Sequence, residues 1–220
     1  MEAFNLITQA LPYIKPEDTG ERALELMAEF KVIHLPLVEH SHYITLVAED
    51  YIYNYELEKI KFKDANLEII RPYIFEKQNI FDILNLLNNI KLSVLPVLAK
   101  DQLYLGSVLV SDLIFKLIDY FGLAQEGAVL ILRVKNIDYS ITLIGNIIEA
   151  NNAKILSLFT LTENDTFKKI IIKVNTTDVI SLLETFERYD YEVDTILFDD
   201  EKYKDIYQER WEALMKYLDT

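Results

Sequence analysis

The 220-residue sequence contains no cysteine, five glycines, five prolines, three histidines and one tryptophan. Each scarcity excludes something. Without cysteine there is no disulfide, no thiolate nucleophile and no Cys-type zinc site. Five glycines leave little backbone able to approach phosphate closely, and no phosphate-cradling glycine loop, nucleophile elbow or paired-histidine ligand motif occurs. A non-catalytic chain is therefore expected. Glu39, His40 and His42 could bind a metal but include no third firm ligand at a familiar spacing, so no metal is expected either. No apolar run approaches the ~18 residues of a membrane span. The segment from Met1 to Asp18 has neither a basic n-region nor a small-residue cleavage site, and a cytoplasmic location is expected.

Positive charge is also in short supply. Lys and Arg number 22 against 36 Asp and Glu, a net charge of −14. Residues 1–125 carry 11 basic and 18 acidic side chains, and residues 126–220 carry the same numbers. Neither half offers a basic face, which argues against nucleic acid and against an anionic membrane surface as partners. What the chain has in quantity is apolar surface, 51% of its residues, ample for packed cores.

That apolar material is arranged as a repeat. Pro12-Tyr13-Ile14 recurs as Pro72-Tyr73-Ile74, Lys31 as Lys91, and Leu35-Pro36 as Leu95-Pro96, all at a spacing of 60. Leu24 and Leu26 match Leu84 and Leu86. An insertion near Asp101 then shifts the register to 61, pairing Tyr43 with Tyr104 and Val47 with Val108. A period sustained over about 45 residues indicates two copies of one supersecondary unit. Such copies stack and leave quasi-equivalent clefts, a geometry suited to a sensor.

Each copy reads as helix, strand, strand, helix. In the first, Thr19 caps a helix bearing Ala23, Leu24, Met27 and Phe30, followed by strands at Val32–Val38 and Tyr43–Ala48 and a helix from Glu49 to Leu57. Pro36 is expected at an edge or bulge. In the second copy Ile80, Ile83, Leu84 and Leu87 form the helix stripe, strands follow at Ser93–Leu98 and Tyr104–Val110, and Ser111 caps the last helix. Past the break at Gly122–Gly127 the pattern changes to βαββαβ, the ferredoxin-like order. Its strands are expected at Ala128–Val134, Lys154–Leu161, Phe167–Val174 and Tyr191–Phe198. Its helices are capped by Ser140 and by Thr176 or Thr177. A final helix over 199–220 carries Tyr203, Ile206, Tyr207, Arg210, Leu214, Met215 and Leu218 in one stripe.

Two short motif sets give this pattern a family likeness. Thr19, Ala23, Met27 and His34-Leu35-Pro36-Leu37-Val38, with Leu95-Pro96-Val97-Leu98 and Gly106-Ser107-Val108-Leu109-Val110-Ser111-Asp112-Leu113, resemble a tandem pair of CBS domains, the regulatory modules named after cystathionine β-synthase. Asp138-Tyr139-Ser140-Ile141-Thr142, Ala153-Lys154-Ile155-Leu156 and Tyr189-Asp190-Tyr191-Glu192-Val193 resemble an ACT domain. The order of the two resembles acetoin-utilisation B-type regulatory proteins. The fold expected is α+β: a CBS pair over 1–124 (copies at about 5–62 and 66–124), an ACT-like domain over 126–198, and the C-terminal helix.

The resemblance implies a ligand of the adenosine class, AMP, ADP, ATP or S-adenosylmethionine, and no cofactor. In the second cleft it implies contact through the Leu95-Pro96 strand backbone and through Gly106, Ser111 and Asp112, with the Asp112 carboxylate accepting from both ribose hydroxyls. Leu109 stands where the motif's first hydroxyl residue belongs. The first copy departs further: Thr45 replaces the glycine, Ala48 the first hydroxyl residue and Tyr51 the aspartate. Its candidates are His34 and Thr19. In the ACT-like part the ligand turn is Ser140 and Ile141, where a glycine is usual and Asp138-Tyr139 stands instead. The resemblance also implies a homodimer and an unidentified regulated protein. The alternative is a dimeric scaffold or adaptor whose ligand sites have degenerated.

Overall fold

A computed structural model describes residues 1–8 and 10–198. The chain is α+β, and it divides into two compact units, one over Met1–Lys116 and one beginning at Leu117. The expected helix over 199–220 lies outside the described residues. Among them, no helix is long and apolar enough to cross a membrane.

The first unit holds copy one and copy two as far as Lys116. In copy one, α1 (Gly20–Phe30) starts where the Thr19 hydroxyl accepts from the Arg22 amide at 3.3 Å, and it ends at Lys31 in the left-handed region. Strands β1 (His34–Glu39) and β2 (His42–Ala48) form an antiparallel hairpin. Its two-residue turn, His40-Ser41, has positive φ at both positions. On the other edge of β1, Ile14 donates to Pro36 O and accepts from Val38 N, both at 2.9 Å. That parallel ladder is a single bridge, Ile14 to Leu37, so the N–H missing from Pro36 removes no bond. A register shift at Leu37/Val38 marks the irregularity beside the proline.

Helix α2 (Glu49–Asn54) is shorter than the expected Glu49–Leu57. The chain turns out of it with Glu56 at positive φ, and Leu57 is buried in the core formed with Leu35, Val47, Ile52 and Phe62. Burying Leu57 outweighs one further helical turn whose outer face meets water.

Copy two repeats the plan with β3 (Ile74–Phe75), α3 (Ile80–Asn89), β4 (Val94–Leu98), β5 (Tyr104–Leu109) and α4 (Val110–Tyr120). Asn79 and Asp82 form a reciprocal capping box at the start of α3. The copies obey the sequence period down to single bonds. Ile14 bridges Leu37 as Ile74 pairs with Val97, and Glu49 N bonds Ile33 O at 3.0 Å as Val110 N bonds Ser93 O at 3.0 Å. The second bond corrects one expectation. It starts α4 at Val110 directly from β5, so Ser111 lies inside the first turn instead of capping it. The copies join where Tyr104 N donates to Ser41 O at 2.8 Å and His42 bridges Leu103.

The second unit is a βαββαβ arrangement: β6 (Ala128–Lys135), α5 (Ile141–Ala150), β7 (Ile155–Thr162), β8 (Phe167–Val174), α6 (Ile180–Arg188) and β9 (Glu192–Phe198). The antiparallel sheet runs β7-β8-β6-β9. Alternate residues Leu130, Leu132, Ile170 and Ile172 face Ile144, Ile148, Leu183 and Phe186 of the helices. Each such buried side chain contributes roughly 1.5–3 kcal/mol. Ser140 caps α5 as expected, accepting from Leu143 N at 3.2 Å. Helix α6 differs: its cap is Val179, without a side-chain bond, and Thr176 instead accepts from Asp178 N at 3.1 Å in a local turn. Val179 is fully buried, and carrying it into the core delays the helix beyond the threonines.

Candidate functional site

The residues expected in the second cleft meet at the junction of β5 and α4, and a segment from the far end of the chain joins them. Asp112, half-buried in the first turn of α4, accepts a hydrogen bond from Thr8 Oγ1 at 3.0 Å through its Oδ2. The same hydroxyl receives Leu109 N at 3.4 Å, and Thr8 N donates to Ser107 O at 2.9 Å. Gly106 has φ +146°, and a Cβ there would come within 2.6 Å of Ile7 Cγ2. Glycine therefore serves here as the seat for Ile7. Leu95 and Pro96 are buried, paired with Val108 and Ser107, so only their backbone is available to a ligand. Ser111 is exposed on α4.

Thr8 and Ile7 are the residues that sequence reasoning did not single out. One signal was present: Thr8 stands ahead of the first helix of copy one as Glu68 stands ahead of that of copy two, 60 residues on. The structure uses the equivalence. Tyr51, which holds the aspartate position of copy one, accepts from Glu68 N at 3.0 Å and donates to Asn66 O at 3.3 Å. Asp112 with Thr8 and Tyr51 with Glu68 are thus the same contact made with different chemistry.

Copy one carries an open cavity of about 300 Å³ between β2, the start of α2 and the segment Leu67–Ile70. His34, Thr45, Ala48, Asp50, Tyr51 and Glu68 are among the residues that bound it. Thr19 is engaged as the α1 cap. His34 Nδ1 accepts from Ser93 N at 3.3 Å and lies 3.1 Å from Ser93 Oγ, which itself accepts from Ile33 N at 3.1 Å. These contacts require a neutral ring with its proton on Nε2. Burial lowers the His34 pKa below its usual value, only partly opposed by Asp50. The Tyr43 and Tyr104 hydroxyls, equivalent in the repeat, are both shifted upward by burial, Tyr104 to about 12.

In the second unit Ser140 is engaged as the α5 cap, and Ile141 is exposed. Tyr139 lies under Lys168, whose Nζ is 4.6 Å from the ring centroid. The nearby Tyr191 hydroxyl is buried without a hydrogen-bond partner among the described residues. Burial raises its pKa, and the Ser140 backbone partly opposes that shift.

Neither a protein-family model nor a curated protein matches the sequence. Solved structures do. A CBS domain pair/ACT domain protein from Thermotoga maritima is 21% identical, with 55% of this chain and 98% of that one covered and a TM-score of 0.47. CBSX2 in complex with AMP is 20% identical, covers 54% of this chain and 97% of its own, and has a TM-score of 0.47. A putative acetoin utilization protein (AcuB) from Vibrio cholerae is 20% identical over 56% of this chain and 94% of its own, again with a TM-score of 0.47.

Proposed function

We propose that this chain is a non-catalytic regulatory protein whose duplicated half, residues 1–124, binds an adenosine-containing ligand at Asp112. The observation that carries the reading is the half-buried Asp112 carboxylate, held at the start of α4 by Thr8 beside Gly106. A carboxylate so placed can accept from two vicinal hydroxyls at once, and a ligand would take over the valence that Thr8 now fills. Residues 126–198 act as an ACT-like domain that reports occupancy to a regulated protein, and the chain works as a homodimer. The ligand acts only through the difference in its affinity for two arrangements of the copies.

The experiment is isothermal titration of the full chain with AMP, ADP, ATP and S-adenosylmethionine, beside Asp112→Ala. Micromolar binding lost in the variant supports the reading, and binding untouched by the variant refutes the Asp112 site. A second reading, a ligand-free dimeric scaffold, is favoured by the way Ile7 covers Gly106 and Thr8 engages Asp112. It predicts no heat with any of the four.

A further inference from the structure

The two copies meet at a pair of residues that also sets where the second helix of each copy begins. Ile33 and Ser93 are equivalent in the 60-residue repeat and stand immediately before β1 and β4. Their carbonyls accept the first amides of the later helices, Ile33 O from Glu49 N and Ser93 O from Val110 N, both at 3.0 Å. Their own amides cross to the opposite copy. Ile33 N donates to Ser93 Oγ at 3.1 Å, and Ser93 N donates to His34 Nδ1 at 3.3 Å. Ser93 Oγ lies 3.1 Å from the same ring nitrogen. A continuous hydrogen-bonded path therefore runs from the first turn of α2, through Ile33, His34 and Ser93, to the first turn of α4, where Asp112 lies.

One member of this path can change its hydrogen-bonding sense. Neutral His34 accepts at Nδ1, whereas the protonated ring carries hydrogen on both nitrogens and accepts nothing. Its Nδ1–H can still donate to Ser93 Oγ, whose hydroxyl is free to turn. The Ser93 amide cannot turn: it loses its acceptor and faces another N–H, so Ser93 must shift, and its carbonyl holds Val110. Asp50 and Tyr51 of α2 and Glu68 of the following linker border the same cavity as the ring, β2 adds only uncharged side chains there, and the β4 side presents the uncharged Ser93. Asp50 is the charge that favours the imidazolium, but burial outweighs it and keeps the ring neutral until the pH falls below the usual histidine value. We propose that His34 and Ser93 form a proton-operated link between the copies: neutral His34 holds α4 where Asp112 is presented to its ligand, and protonated His34 releases it. The effect on the ligand rests on the reading of Asp112 as the ribose-binding carboxylate; the link itself does not. Protonation and binding oppose each other, so ligand binding expels a proton.

The test uses the full chain in two arms, at about pH 7.5 and about pH 5.5, on either side of the ordinary histidine range. Without ligand, hydrogen exchange followed by NMR compares the Glu49 and Val110 amides with those of α3, which takes no part in the path. Corrected for the intrinsic effect of pH, their protection relative to α3 is expected to fall about fivefold or more at the lower pH in the wild type. It is expected to stay level in His34→Gln, whose side-chain oxygen accepts a hydrogen bond without titrating. With ligand, the calorimetric probe is adenosine, which carries the ribose hydroxyls and no group that titrates in this range. Its affinity for the wild type is expected to fall by a similar factor and to stay level in His34→Gln. In the wild type alone, binding midway between the two pH values should release protons, read as a heat that varies with the ionisation enthalpy of the buffer. Unchanged relative protection of Val110 in the wild type overturns the inference whatever the ligand does. Adenosine affinity identical at both pH values overturns proton control of the Asp112 site. Protection that falls as expected while adenosine fails to bind even at the higher pH supports the link and refutes the Asp112 reading.

Discussion

Thr8 Oγ1 and Asp112 Oδ2 are 3.0 Å apart although 104 residues separate them in the chain. The contact ties the N-terminal segment, ahead of α1, to the first turn of the last helix of copy two. Its counterpart, Tyr51 with Glu68, ties the linker between the copies to the helix of copy one. Each copy is therefore closed by the strap of chain that leads into the other. A ligand at Asp112 would act on the N-terminal strap.

Removing the Thr8 hydroxyl strips the half-buried Asp112 of a donor and Leu109 N of an acceptor. Thr8→Ala is expected to destabilise the first unit by roughly 1–3 kcal/mol, and Thr8→Ser to stay close to wild type. Urea unfolding of the three proteins decides it. Equal stability of the alanine variant would show that the contact carries no net energy.

Two glycines are expected to respond differently to alanine. At Gly106 the new methyl group would meet the Ile7 side chain at 2.6 Å, with φ +146°. At Gly127, with φ +154°, it would meet the backbone oxygen of Val174 at 1.8 Å. A side chain can move and a sheet backbone cannot. Gly106→Ala should cost about 1–3 kcal/mol, part of it recovered by adding Ile7→Ala, and Gly127→Ala roughly 3 kcal/mol or more. A Gly127→Ala melting temperature at or above that of Gly106→Ala would contradict this ranking.

His34 sets a pH dependence. Its folded pKa lies below the usual 6.5, so between the two values the unfolded chain holds the proton that the folded chain lacks. The stability this contributes is complete above about pH 6.5 and declines as the pH falls below it. His34→Gln should flatten that part of the profile. Denaturation midpoints measured between about pH 7 and pH 5 should fall further in the wild type than in the variant. Parallel profiles would dismiss His34 as the source.

The Tyr191 hydroxyl is buried without a hydrogen-bond partner among the described residues, and its ring packs edge-on against Phe186 at 5.6 Å. Tyr191→Phe keeps the ring and removes an unsatisfied group, so stability should stay level or rise by up to about 1 kcal/mol. Tyr191→Ala should cost roughly 3 kcal/mol or more. A clear loss in the phenylalanine variant would reveal that the hydroxyl is hydrogen-bonded in solution.

The elements that followed from local pattern were legible. The 60-residue period marks the two copies, and β8 runs from Phe167 to Val174 as expected. The Thr19 and Ser140 caps needed only a hydroxyl beside the first apolar turn. Errors arose where burial at a distance overrode a local signal. Leu57 drew the chain out of α2, Val179 delayed α6 past Thr176 and Thr177, and the Val110–Ser93 bond started α4 before Ser111.

The candidate site divides in the same manner. Asp112 and Gly106 could be picked out because a motif places them on adjoining stretches of chain. Thr8, Ile7 and the cavity wall at Leu67–Ile70 could not, because they arrive from segments with no periodicity of their own. By itself the amino-acid sequence determined the duplication, the change to βαββαβ after Gly127 and the residue types of each cleft, since these depend on spacing along the chain. Only the tertiary structure decided that Thr8 closes on Asp112 while Tyr51 closes on Glu68, and that Asp50 and Glu68 border one cavity. Those are distances between segments remote in sequence, set by how two packed copies share a core.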